Sequence, residues 1–359
     1  MVRRARDRTV TVSLVTGGSG YFGSLLVAQL VGAGHRVRVL DINSSDELAQ
    51  GVEFVRGDIR DPRVVREAVD QVDVVFHNVA QVPLARDREL LESVNIDGTR
   101  ILVDACAAAG VKKIVHTSSS AIFGIPATNP VLPTTAPRPL EAYGAAKLAA
   151  EEVCRSAIAE RGLDITIVRP RTILGHGRLG IFGILFDWIA DGADPFVLGR
   201  GENRYQFVHA EDLAEACIRA GNVAGPDVFN VGTDRFGTMR DALEGLCSHA
   251  GTGSRVRSLP ARPTSAAMRA AAALKLAPFA PYHWIMYSKS MWFDTSHVTD
   301  KLGWSPRWSN DEMFVDSYEW FLRNRASSAD QGGTVSHHRR SARQGALSIV
   351  KRATRLLPG

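Results

Sequence analysis

Val15-Thr16-Gly17-Gly18-Ser19-Gly20-Tyr21-Phe22-Gly23 is the stretch that decides the fold. A short β-branched run over 10–15 leads into it and a helical pattern over 21–33 leads out, so the glycines sit in a strand-to-helix turn. Gly17, Gly20 and Gly23 are spaced G-x-x-G-x-x-G. The first makes the tight turn, the second leaves bare backbone for a pyrophosphate to approach, and the third lets helix lie on strand. The pyrophosphate then meets the free N–H groups at the helix start, beside Tyr21 and Phe22. A second strand, 36–40, ends at Asp41, 18 residues past Gly23. A carboxylate there accepts hydrogen bonds from an adenosine ribose 2′-hydroxyl and repels a 2′-phosphate, so NAD is expected ahead of NADP.

Working outward, the same alternation continues. Strand-like runs at 72–77, 113–117 and 164–169 are separated by helical patterns near 62–70, 89–109 and 141–161. The strands are unbroken apolar runs, as in strands covered on both faces. Strand, crossover helix and parallel strand repeated give an α/β fold with a doubly wound parallel sheet of the Rossmann type. We assign residues 9–170 to this dinucleotide-binding part. Residues 171–325 form a smaller substrate-binding region interleaved with the last strands, with helices expected at 181–191, 211–220, 238–250, 264–276 and 309–324 and a strand at 227–231. Residues 1–8 and 326–359 are basic tails.

Composition narrows the class. The 359 residues are 45% hydrophobic and 23% charged with 32 Gly, 16 Pro and 4 Cys, which excludes a disordered, collagen-like or disulfide-scaffold chain. Cys106, Cys154, Cys217 and Cys247 form no CxxC pair, so they read as reduced core thiols of a cytoplasmic protein, and no metal site is expected. The net charge of +5 is carried by the tails: residues 326–359 hold six Lys/Arg against Asp330, and Arg3, Arg4, Arg6 and Arg8 precede the first strand. A body without a basic excess does not read as a nucleic-acid surface. The apolar start of the chain runs into glycines rather than a cleavage site and reads as a strand. No apolar run approaches the roughly 18 residues of a membrane span.

Further motifs follow in order: Gly57-Asp58-Ile59; His77-Asn78-Val79-Ala80; Asn95-Ile96-Asp97-Gly98-Thr99; Thr117 to Gly124, TSSSAIFG; Tyr143-Gly144-Ala145-Ala146-Lys147; Arg169-Pro170; Phe207-Val208-His209; and Leu302-Gly303-Trp304-Ser305-Pro306. With the glycine turn they make the chain resemble the extended short-chain dehydrogenases/reductases of the NAD-dependent epimerase/dehydratase group over about residues 10–325. The resemblance implies that Asp58 and Ile59 edge the adenine, that Val79, Ala80 and Pro170 lie beside the cofactor, and that Ser119 is the hydroxyl donor, with Ser118 and Ser120 as fallbacks. It also implies a homodimer through helices 89–109 and 141–161.

The chemistry stands on the residues as well. Tyr143 and Lys147 are four apart in a helical stretch, so they share one face. A free tyrosine is a poor base near neutrality, with pKa about 10. A neighbouring ammonium and a nicotinamide cation favour the phenolate. Tyr143 is then the acid/base of a secondary alcohol or ketone, Lys147 also reaches the nicotinamide ribose, and a serine steadies the alkoxide. His209 and Asp212 read as structural, the latter as a cap for helix 211–220.

Substrate class divides the resemblance. Where nucleotide-sugar epimerases and dehydratases usually hold a diphosphate with an Asn and an Arg-Asp-Phe, this chain has Arg169-Pro170-Arg171-Thr172-Ile173-Leu174-Gly175 and Tyr205-Gln206-Phe207; Arg171, Arg178, Arg200 and Arg204 are candidate substitutes. The Arg-Pro-x-x-Ile-x-Gly stretch is more similar to the 3β-hydroxysteroid and sterol-carboxylate dehydrogenase branch. An aromatic patch (Phe279, Tyr282, His283, Trp284, Tyr287, Trp292, Phe293) suits a hydrophobic small-molecule substrate, or is simply core. The leading expectation is an oxidoreductase on such a substrate; the alternatives are a nucleotide-sugar epimerase/dehydratase and a dinucleotide-sensing binding protein. In the tail, Ala346, Ile349, Val350, Ala353 and Leu357 share a helix face away from Lys351, Arg352 and Arg355. That pattern fits either peripheral contact with an anionic membrane or a solubilising end.

Overall fold

The structure, a computed structural model, describes residues 10–44, 48–81, 87–274, 276–277, 279, 281–328 and 347–355. The basic start with Arg3, Arg4, Arg6 and Arg8, the tail arginines Arg339, Arg340 and Arg343, and Ala346 and Leu357 lie outside the described residues. So do the side chains of Tyr282, His283, Ile349, Ala353 and Arg355.

In chain order the strands are β1 (Val12–Thr16), β2 (Arg36–Asp41), β3 (Glu53–Arg56), β4 (Val74–His77), β5 (Lys113–Thr117), β6 (Ile165–Pro170), β7 (Thr172–Leu174), β8 (Phe196–Leu198), β9 (Phe207–His209), β10 (Asp227–Val231) and β11 (Arg257–Leu259). Seven of them form one parallel sheet in the order β10-β6-β5-β4-β1-β2-β3. The order reverses between β1 and β4, where Thr16 pairs with His77, so the ligand crevice opens at the carboxyl ends of these two strands. The helices are α1 (Tyr21–Gly32), α2 (Pro62–Val69), α3 (Arg88–Glu92), α4 (Gly98–Ala109), α5 (Ala142–Arg161), α6 (Gly180–Ala190), α7 (Ala210–Asn222), α8 (Met239–Ala250), α9 (Ala261–Ala273), α10 (Pro281–Met286), α11 (Ser296–Leu302), α12 (Asn310–Ser328) and α13 (Leu347–Arg355).

Both faces of the sheet are buried, which explains the unbroken apolar strands. Val15, Val39, Phe76, Val115 and Val168 face a core with Leu26, Leu30, Leu213 and Trp304. Their neighbours Leu14, Leu40, Val75, Ile114 and Ile167 face the opposite core with Val65, Leu102 and Cys154. Each such side chain contributes about 1.5–3 kcal/mol on burial. All four cysteines are free and buried, and burial raises every one of their pKa values.

Two small parallel sheets, β7 with β9 and β8 with β11, stand beside a third core built from α6, α8 and α12. The aromatic patch divides here. Tyr287 donates its hydroxyl to Phe196 O and joins this core, while Phe293 is buried against Phe123 and Met291. These two are packing residues, not a free hydrophobic wall. In the tail, α13 lies on α6: Lys351 Nζ pairs with Asp187 and Asp191, and Leu347 packs on Ile184, Trp188 and Phe196. Val350 stays exposed.

Candidate active site

The glycine turn has the shape its spacing demands. Gly17 adopts φ +71°, the left-handed region that favours glycine. A Cβ at Gly23 would stand 2.0 Å from Gly17 O, so this glycine is what lets α1 close onto the turn. A Cβ at Gly20 would meet only Gly17 O, at 3.2 Å, leaving its outer side clear. Gly20 also begins α1 with no side-chain cap and no acidic residue in the first turn. The first-turn amides are thus left for an anion, which suits a pyrophosphate. Gly18, not singled out from the sequence, is required too: its Cβ would lie 2.6 Å from Val39.

Around the turn, Asp41 ends β2 and accepts from the N–H groups of Ser19 and Asn43, both at 3.1 Å; burial raises its pKa. Asp58 accepts from Arg60, whose guanidinium holds the carboxyl below its usual range. Ile59 is core, packed where a Cβ on Gly98 would be 2.7 Å away. Val79 and Ala80 follow β4 at the reversal point; Val79 N lies 3.4 Å from Thr16 Oγ1. Tyr21 is buried under the turn Gly175 to Arg178, Phe22 packs on the α1 core, and Pro170 is buried at the end of β6. Hydrogen bonds join the motifs: His77 bridges Thr16 and Thr99, and Asn95, in a π-helical turn at Ser93–Asp97, clamps both backbone groups of Gln81.

Glu141 caps α5 by accepting from Tyr143 N and Gly144 N at 2.8 and 2.7 Å. Half-buried Tyr143 is therefore in the first turn, and Lys147 lies one turn further, buried, donating its Nζ to Thr117 O at 2.8 Å. Burial lowers the Lys147 pKa to about 8. Thr117 ends β5, and the three serines follow it. Ser118 donates to Glu151 at 2.6 Å; Ser120 accepts from Arg171 at 2.9 Å. Ser119 Oγ accepts the Ala121 N–H at 3.2 Å and is half-buried, so its hydroxyl proton remains available.

Sequence reasoning missed one member. Glu151, fully buried, holds Arg169 at 2.8 and 2.6 Å as well as Ser118. Its place four residues after Lys147, on the same helix face, was the available signal. Arg178 stands 5.6 Å from the Tyr21 ring, and its charge also acts on Tyr143. Asp212 does not cap α7. His209 does, accepting Glu211 N at Nδ1, while Asp212 holds Arg307 and the Arg307 and Trp308 amides. His176, His209 and Asp316 converge within 4.8 Å. Because His209 Nδ1 accepts the capping N–H, its proton lies on Nε2 and points to Asp316, leaving no lone pair there for a metal.

A doubly wound sheet, a glycine turn at its reversal point and a Tyr-x-x-x-Lys helix beside it define an NAD-dependent enzyme of the extended short-chain dehydrogenase/reductase class. The chain belongs to the NAD-dependent epimerase/dehydratase family, whose model matches residues 13–232. It is 50% identical over 352 residues (98% of this chain, 88% of the relative) to the uncharacterized protein y4nG of Sinorhizobium fredii. It is 33% identical over 240 residues to UDP-glucose 4-epimerase of Mycolicibacterium smegmatis, covering 62% of this chain and 77% of that one. With human sterol-4-alpha-carboxylate 3-dehydrogenase, decarboxylating, it shares 31% over 231 residues, 61% of each chain. Among solved structures, UDP-glucose 4-epimerase from Thermotoga maritima superposes with TM-score 0.74 at 26% identity, covering 88% of this chain and 99% of that one.

Proposed function

We propose that the chain carries out redox chemistry at a secondary alcohol or ketone, with Tyr143 as acid/base, Lys147 as its electrostatic support and Ser119 as the donor to the alkoxide. The observation that supports this reading is Lys147 Nζ on Thr117 O at the end of β5, the strand beside β4, with Tyr143 one turn earlier on α5 and Ser119 two residues after Thr117. NAD, held by the Gly17–Gly23 turn and Asp41, supplies the two-electron acceptor when bound. Tyr143 takes the hydroxyl proton of the alcohol; Lys147 favours the phenolate before transfer and Ser119 donates to the developing oxyanion. In the reverse direction Tyr143 returns the proton.

For the substrate, likeness to the sterol and 3β-hydroxysteroid dehydrogenases supports a hydrophobic alcohol. A nucleotide-sugar epimerase/dehydratase is the second reading, favoured by the core role of Tyr287 and Phe293 and by similarity to a UDP-glucose 4-epimerase. Net NADH formation with sterol-like alcohols supports the first; turnover of UDP- or dTDP-sugars without net NADH supports the second. We also propose a homodimer through the helical stretches 89–109 and 141–161, tested by sedimentation.

A further inference from the structure

Arg171 follows the strand β6 that ends beside the serines. Its side chain is 1% exposed. Nη1 donates to Ser120 Oγ at 2.9 Å and approaches Met291 Sδ at 3.4 Å, whereas Nε and Nη2 are buried with no hydrogen-bond partner. The guanidinium lies 4.7 Å from the Tyr205 ring and 5.6 Å from that of Phe293. Among the described residues no carboxylate faces it. The contrast with Arg169, two residues earlier and equally buried, is direct: Arg169 has Glu151 on two of its nitrogens.

A buried charge without a counter-charge is costly, and one hydroxyl, ring faces and a thioether sulfur offset only part of that. Nε and Nη2 form the fork that pairs with the two oxygens of a carboxylate or phosphate. Its partner Ser120 is the residue next to Ser119, the proposed alkoxide donor. Of the other arginines noted in the sequence, Arg200 pairs with Glu202 at the surface. Arg204 stacks on Phe236 and Trp292.

We propose that Arg171 is the floor of an oxyanion subsite, its Nε and Nη2 receiving a carboxylate or phosphate carried by the substrate. This rests on the reading of the site given above and adds that the substrate is anionic near the reacting carbon.

The test is binding rather than turnover. NAD-saturated full-length protein, whose glycine turn is already occupied, is titrated with inorganic phosphate and separately with acetate, following calorimetry and melting temperature. Wild type is expected to bind at least one of the two in the millimolar range, and which of them binds tells phosphate from carboxylate. Arg171→Met is expected to weaken that binding at least about tenfold, since a charge-assisted pair is lost. Arg171→Lys, which keeps the charge but not the fork, should bind between the two and serves if the Met variant does not fold. Tyr143→Phe is expected to bind the anion as wild type does, so loss of the base assignment and loss of the subsite are read separately. No binding of either anion by wild type, or equal binding by wild type and both Arg171 variants, overturns the proposal.

Discussion

Lys147 shows how burial and function pull on one residue. The proposed chemistry needs its ammonium beside Tyr143, yet its surroundings lower its pKa from 10.5 to about 8. The folded state therefore holds this proton less tightly than the unfolded one. Between pH 8 and 10.5 the unfolded chain binds more protons, so stability from this group rises with pH while the charge beside Tyr143 disappears. Activity is expected to decline above about pH 8, and Lys147→Met should remove the alkaline gain in stability along with most turnover; denaturation at pH 7 and 9.5 checks the first part. Glu151 is a second residue-scale case. Glu151→Gln leaves Arg169 buried with half its partner and is expected to cost about 3–5 kcal/mol in urea unfolding. A loss below 1 kcal/mol would mean that the Arg169 pair does not hold the serine turn.

At the scale of elements, the glycine turn separates packing from binding. Gly23→Ala places a methyl group against backbone oxygen and is expected to destabilise by about 1–3 kcal/mol. Gly20→Ala makes a milder contact, 3.2 Å from Gly17 O, and is expected to cost less stability while weakening NAD binding, seen by calorimetry; equal effects of the two on stability would contradict the assignment. Strands buried on both faces were legible as apolar runs, and α5 was legible from the tyrosine and lysine on one face. The edge strand β3 was not: its ends are Glu53 and Arg56, and its middle is only half-buried, so no apolar run marks it. Nor was the split of the helix expected at 89–109 into α3, a π-helical turn and α4, because backbone hydrogen-bond shifts leave little trace in side-chain pattern. The Glu151–Arg169 pair lay open to the same spacing rule that found Lys147. Arg171 did not, since its lack of a partner is a property of tertiary packing.

In the whole molecule, α12 and the tail helix α13 meet at α6. Asp187 and Asp191 receive Arg325 from α12 and Lys351 from α13. Ending the chain after residue 328 keeps Arg325, so the expected loss is roughly 1 kcal/mol, diminishing in high salt. A melting curve lowered by more than ten degrees would make α13 part of the core instead. The same truncation tests the membrane expectation by co-sedimentation with anionic liposomes; unchanged binding removes the tail from that role. All of this surrounds one claim, that the Tyr143 phenol moves the proton while Lys147 stands behind it. The most direct measurement is the rate of 340 nm absorbance change for wild type and Tyr143→Phe on the first alcohol found to turn over, with NAD affinity measured alongside. A fall of about 10²-fold or more at unchanged NAD affinity is the predicted result; a variant as fast as wild type would contradict it.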